Sequence, residues 1–279
     1  MWGFVPNRFS LKNRKFLLLV FLLNIGCEDV IELDLPPSKP QLVIDALIGY
    51  NDTNGQSVTA GEVKLTLTTP FFEETLPAEN ATVSLIDMAT SQSYELVENK
   101  PGIFDSGFPK LEFNREYMLQ ISFEGEIYTA TEQLVKSTII EKLEQDHGFL
   151  FNEDETEVKV TFTDLPGERN HYLFAFGWNN YLVVDDQFFQ DEQLTFSYFY
   201  EKLKPGKKIS ISVFGINKVF SNYIEKLLAQ SGEDMGNGGP FAIPNATIRG
   251  NIVNKTNPGN FAFGYFALSE FDTQPLTIR

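Results

Sequence analysis

What most limits the folds open to this chain is a period of two. Val63, Leu65 and Leu67 alternate with Lys64, Thr66 and Thr68, and Val158, Val160 and Phe162 alternate with Lys159, Thr161 and Thr163. Tyr117, Leu119, Ile121 and Phe123 recur at every second position, and Val83, Leu85 and Asp87 continue the pattern. Successive side chains of a strand point to opposite faces, so each run describes a strand with one face buried. Pro101-Gly102, Glu124-Gly125, Pro166-Gly167 and Lys204-Pro205-Gly206-Lys207 supply the turns between them. Short alternating strands at this spacing predict a mainly β protein: an N-terminal immunoglobulin-like β-sandwich, then a second β-rich domain. The chain has one cysteine, so no disulfide can form within it. Packing alone must hold it together, and 26 Phe and 10 Tyr supply large side chains for that.

The expected organisation has four parts. Residues 1–26 form a leader, residues 27–40 an acidic, proline-containing tether, residues 41–135 the sandwich and residues 136–279 the C-terminal domain. Within the last, strands are expected at Tyr172–Trp178, Tyr181–Val184, Leu194–Tyr200 and Ile209–Ile216. Phe220, Tyr223, Ile224, Leu227 and Leu228 recur at helical spacing, which predicts one amphipathic helix over 217–230, packed on a sheet. Further strands are expected at Thr247–Val253, Phe261–Leu268 and Leu276–Ile278. The glycine-rich stretch 232–240 resembles a phosphate loop only in glycine content and lacks its Lys-Ser/Thr.

The leader specifies a location. Arg8, Lys12, Arg14 and Lys15 precede an unbroken apolar run from Phe16 to Leu23, and Asn24-Ile25-Gly26-Cys27 follows. A basic start, a short apolar core and a small residue before a cleavage point make a secretory signal. The run is too short to span a bilayer, which takes about 20 residues. Cys27 stands where a bacterial lipoprotein signal places its acceptor thiol, so acylation at Cys27 and anchoring by two or three acyl chains are expected. Asn24 departs from the apolar residue usual three before that cysteine. The chain carries 38 Asp plus Glu against 22 Lys plus Arg, and four of the basic residues lie in the leader. Such an acidic protein is not expected to bind nucleic acid, which needs basic patches.

Chemistry-bearing patterns are sparse. The two histidines, His147 and His171, have no ligand-spaced partner, so no metal site is expected. No Gly-x-Ser-x-Gly elbow is present. The acidic run Asn152–Glu157 lacks the glycine and spacing of a calcium loop and reads as a solvated loop. Asp185-Asp186 and Asp191-Glu192 are the carboxylate pairs that a glycoside hydrolase would use, or simply a polar loop between strands. Aromatics crowd the stretch from Trp178 to Tyr200. Trp178, Tyr181, Phe188, Phe189 and Tyr198 form either a binding surface for sugars or proteins, or the core of a phenylalanine-rich sandwich.

Along most of its length the chain resembles the domain of unknown function family 4249. The resembling stretches begin with Cys27-Glu28-Asp29-Val30-Ile31-Glu32-Leu33-Asp34-Leu35-Pro36 and Leu42-Val43-Ile44-Asp45-Ala46. Leu67-Thr68-Thr69-Pro70-Phe71-Phe72, Ala81-Thr82-Val83, Pro101-Gly102-Ile103-Phe104, Tyr117-Met118-Leu119-Gln120-Ile121 and Tyr128-Thr129-Ala130 follow in order. Gly239-Pro240-Phe241, Asn251-Ile252 and Gly264-Tyr265-Phe266 complete the set. The resemblance implies a lipoprotein of Bacteroidota at the outer membrane or cell surface, often beside TonB-dependent receptors, and it supplies no catalytic residue or cofactor. The expected function is therefore a lipid-anchored, non-enzymatic accessory or binding protein of the cell outer membrane. The alternatives are a carboxylate-dependent glycoside hydrolase and a structural or adhesive surface protein.

Overall fold

The computed structural model describes residues 39–53, 55–70, 73–152, 154–231 and 247–279. Cys27, its leader and the glycine-rich stretch 232–240 lie outside the described residues. Pro40–Arg279 forms one compact unit. Its strands begin with β1 (Leu42–Thr53), β2 (Gln56–Leu67), β3 (Leu76–Pro77), β4 (Thr82–Asp87), β5 (Gln92–Glu95) and β6 (Val97–Lys100). Next come β7 (Ile103–Ser106), β8 (Glu116–Phe123), β9 (Glu126–Gln133), β10 (Ile140–Asp146), β11 (Thr156–Thr163) and β12 (His171–Ala175). The chain ends with β13 (Tyr181–Asp185), β14 (Gln193–Tyr200), β15 (Lys208–Ile216), the helix α1 (Lys218–Ser231), β16 (Val253–Asn254) and β17 (Phe263–Thr277). The protein is mainly β, as the alternation predicts, and α1 falls within one residue of its expected place.

Three sheets build two sandwiches. A 9-stranded sheet has the order β13-β12-β15-β17-β1-β2-β7-β6, with β3 on β2. A 5-stranded sheet, β16-β9-β8-β4-β5, shares a core with the β17-β1-β2-β7 side of it. A 3-stranded sheet, β10-β11-β14, shares a second core with the β12-β15 side. Alternation assigns the faces. Ile44, Ala46 and Ile48 of β1 and Val83 and Leu85 of β4 enter the first core, while Leu47 turns to the opposite face and packs beneath α1. Asp87 does continue the β4 pattern and is buried, where its carboxylate accepts the Ala89 N–H at 2.8 Å and the Arg115 guanidinium at 2.9 Å.

One tyrosine in each sandwich ties a crossing loop to the core. The Tyr117 hydroxyl accepts the Glu112 N–H at 2.9 Å, a tyrosine-corner bond to backbone a few residues upstream. Tyr172 repeats the device: its hydroxyl accepts the Leu165 N–H at 3.0 Å and donates to Asp164 at 2.6 Å.

β17 is a single strand of 15 residues, where separate strands at Phe261–Leu268 and Leu276–Ile278 are expected from the sequence. Its first part pairs in parallel with β1, from Val43↔Phe263 to Tyr50↔Glu270. Its second part pairs with β15, from Phe214↔Phe271 to Lys208↔Thr277. The first core accordingly takes Ala262, Phe266 and Leu268 from beyond the division at 135/136. The Asn251 side chain imitates a strand partner for β17, accepting the Phe266 N–H at 2.9 Å and donating to its carbonyl at 2.8 Å. Gly264 lies at φ +96, and a Cβ there would strike the Ile44 carbonyl, so this close parallel pairing requires glycine.

The segment around residue 136 is bonded along β17. Val135 N–H donates to Leu268 at 3.1 Å, and Val135 O accepts the Glu270 N–H at 2.7 Å. Ser137 N–H donates to the Glu270 carboxylate and Ile140 N–H to Asp272, both at 2.9 Å. Lys136 O approaches Gly215 so closely that a Cβ there would overlap it.

Candidate functional site

The two edge strands β13 and β14 leave the side of the second sandwich open. Between them lies a cleft of about 710 Å³, lined by Trp178, Tyr181, Leu182, Tyr198, Tyr200 and their neighbours, with Glu225 and Leu228 of α1 closing one wall. Aromatic stacking builds its floor. Phe176, fully buried, stacks on Tyr198 with centroids 3.8 Å apart and planes at 5°. Tyr198 meets Tyr200 edge-on at 4.7 Å, and the Tyr200 hydroxyl donates to the Phe176 carbonyl at 3.1 Å. Burial raises the phenol pKa values of Tyr198 and Tyr200, so both stay neutral hydrogen-bonding groups.

The mouth is set by a strained turn. Expected within a strand, Trp178 instead lies beyond the end of β12, in the turn Gly177–Asn180, closed by the Asn180 N–H on the Gly177 carbonyl at 2.9 Å. Trp178 has φ 51 and Asn179 φ 62. A tight hairpin turn of this hand needs positive φ at both central residues. Asn tolerates that; a bulky Trp does so at a cost of roughly 1–2 kcal/mol. The result is an indole 58% exposed beside the cleft, edge-on to Tyr200 at 6.0 Å. Strain of this kind concentrates at functional sites.

Of the five aromatic positions singled out in the sequence, the structure brings Trp178, Tyr181 and Tyr198 to one cleft. Phe188 does not join them: it stands 90% exposed on a short 3₁₀ helix, Asp186–Phe188, after the far end of β13. Phe189 packs in the second core, edge-on to Phe162 at 5.8 Å. Asn180, Leu182, Glu201, Lys202 and Glu225 also line the cleft and were not singled out. The Gly177-Trp178-Asn179-Asn180 turn was legible in principle, because Gly and Asn cluster where left-handed backbone is needed.

The carboxylates considered for hydrolysis lie away from the cleft. Asp185, paired with His171 in register, receives Arg169 in a two-point bond at 3.0 and 2.6 Å. Its pKa is lowered: burial pushes it up, and the Arg169 bond with other donors outweighs that. Asp186 is buried and accepts the Asn170 N–H at 2.7 Å; Asp191 accepts the Gly167 N–H at 3.0 Å. Glu192 is exposed. In the acidic run, Glu155 caps the Leu150 and Phe151 N–H groups, and Glu157 is buried in β11. Among the described residues no cluster of three or more His, Cys, Asp or Glu side chains is placed to hold a metal ion. No helix among them is long and apolar enough to cross a membrane.

A second hollow, about 680 Å³, opens beside α1 against Tyr223, Lys226, Arg249 and Asn251. Two of its polar groups are already engaged: Asn251 bonds Glu132 and β17, and the Arg249 guanidinium lies over Phe261 at 3.7 Å.

The family model described as Domain of unknown function (DUF4249) matches residues 28–274. Among curated proteins nothing matches. The similar solved structures include a two fibronectin type III domain segment of chicken tenascin, 12% identical, covering 64% of this chain and 91% of that one, with a TM-score of 0.21. The chicken interferon gamma receptor alpha chain is 10% identical, covering 64% and 89%, with a TM-score of 0.20. A DUF4785 family protein of Legionella pneumophila is 10% identical, covering 62% and 52%, with a TM-score of 0.21.

Proposed function

This chain belongs to the DUF4249 family, and from that premise we propose that it is a non-enzymatic, lipid-anchored protein of the bacterial outer membrane that binds a ligand in its aromatic cleft and serves TonB-dependent nutrient uptake. The observation carrying the binding role is the cleft itself, with Trp178 held out at its mouth by left-handed backbone. Pockets lined by aromatic faces with a few polar groups are what small-molecule sites are made of. The leader that precedes Cys27 supports the anchor.

The anchor and the partnership are tested together. Membranes from cells expressing the wild type or Cys27→Ala are fractionated, extracted in detergent and passed over an affinity tag on this chain. The wild type is expected in the outer membrane with a TonB-dependent receptor co-eluting, and the variant, still folded, in the soluble fraction. Equal membrane retention of both would overturn the anchor. A wild type that elutes alone would overturn the partnership.

A further inference from the structure

The turn joining β14 to β15 departs from the charge of the chain around it. Acidic residues outnumber basic ones by 38 to 22, yet Lys202, Lys204, Lys207 and Lys208 fall within seven residues. Lys202 pairs with Asp154 at 3.0 Å. Among the described residues Lys204, Lys207 and Lys208 form no salt bridge. The Lys207 ammonium lies 5.3 Å from the centroid of the Trp178 ring, which puts this cation beside the mouth of the cleft. A chain with carboxylates in excess has left the Lys207 ammonium beside an exposed indole without a carboxylate partner of its own.

We propose that the cleft binds an acidic saccharide, with one sugar ring on the Trp178 indole and its carboxylate or sulfate on the ammonium group of Lys207. This rests on the cleft reading above and adds the class of ligand. A sugar ring offers a face of C–H groups, which packs against an aromatic ring, and a border of hydroxyls, which need hydrogen-bond partners. Tyr181 and Tyr198 extend the aromatic surface, and Asn180, Glu201 and Glu225 supply polar atoms. Glu201 and Glu225, both exposed on the lining, disfavour an acidic group against them and direct it toward the Lys207 side. The left-handed turn fixes Trp178 before binding, which lowers the ordering cost. The same end of the sandwich carries the exposed tip Phe149, Leu150 and Phe151, at 56%, 54% and 70% exposure. A bilayer would meet that exposed tip, whereas a ring fits the cleft.

Trp178 is one of two tryptophans, the other being Trp2 in the leader. In the full chain carrying Trp2→Phe, indole fluorescence therefore reports on the cleft alone. The probes are oligogalacturonate and a heparin-derived oligosaccharide, against neutral xylo- and cello-oligosaccharides. Acidic probes are expected to change Trp178 emission saturably, with affinity falling about tenfold or more as salt rises from about 50 to about 500 mM. By calorimetry, Trp178→Ala abolishes binding, and K207Q loses about tenfold and most of the salt dependence; circular dichroism confirms that both remain folded. Neutral probes binding as tightly, without salt dependence, would overturn the acidic class and leave the cleft reading standing. No response to any saccharide would overturn this proposal. Binding instead to phosphatidylglycerol vesicles, lost on substituting Phe149, Leu150 and Phe151, would assign this end to a membrane and overturn both.

Discussion

Four side chains converge on the carboxylate of Glu126. The Tyr128 hydroxyl donates at 2.6 Å, Asn260 at 2.6 Å, Asn254 at 2.9 Å and Asn257 at 3.2 Å. These bonds, the one from Tyr128 foremost, hold the Glu126 carboxyl down to about 2. The asparagines come from the segment that delivers the chain into β17, so one carboxylate fastens that segment to β9. A folded-state pKa below the unfolded one contributes stability that is complete above about pH 4.5 and lost as pH falls toward 2. Thermal denaturation across that window is expected to show a midpoint that falls with pH, and a flatter slope for Glu126→Gln. A variant with the wild-type slope would place the acid sensitivity elsewhere. Trp178 illustrates the opposite use of a residue, accepting backbone strain for exposure, whereas Glu126 trades exposure for bonds.

Among elements, β11 lies at the centre of the second sandwich. Phe162 is fully buried and meets Tyr172, Phe174, Phe189 and Phe196 at centroid distances of 5.5, 5.2, 5.8 and 6.3 Å. Phe162→Ala is expected to cost about 3–5 kcal/mol in chemical denaturation; a cost below about 1 kcal/mol would show that this core can collapse into the gap. That strand was legible in Val158, Val160 and Phe162 because alternation reports one buried face directly, and α1 was legible for the same reason at helical period. The aromatic stretch was less so. Phe188 and Phe189 are adjacent and chemically identical, yet a 3₁₀ turn sends one to solvent and the other to the core, and composition does not distinguish the two. The lysine turn was legible as a turn; its place beside the cleft mouth depends on Trp178 facing Lys207, a contact between residues 29 positions apart.

At the scale of the molecule, the pairing of β1 with β17 joins residues more than two hundred positions apart. Alternation shows that a strand has a buried face and is silent on its neighbour, so the return of residues 251–270 to the first sandwich could not be read from the pattern. Both cores share β17, and the segment 135–140 is bonded along it. Pro40–Arg279 is therefore expected to unfold in one calorimetric transition, with equal calorimetric and van't Hoff enthalpies. Two resolved transitions would show that the sandwiches part despite the common strand.

The parallel run of β1 against β17 also sets how the molecule bears a mechanical load. From Phe263 to Thr277 the strand covers about 46 Å at ~3.3 Å per residue, leading from the start of β1 to the lysine turn. Tension applied between Leu42 and that turn would slide the two strands past each other, loading the rungs of the ladder together instead of peeling them one at a time. A bound polymer tugging at the cleft would thus meet resistance in shear.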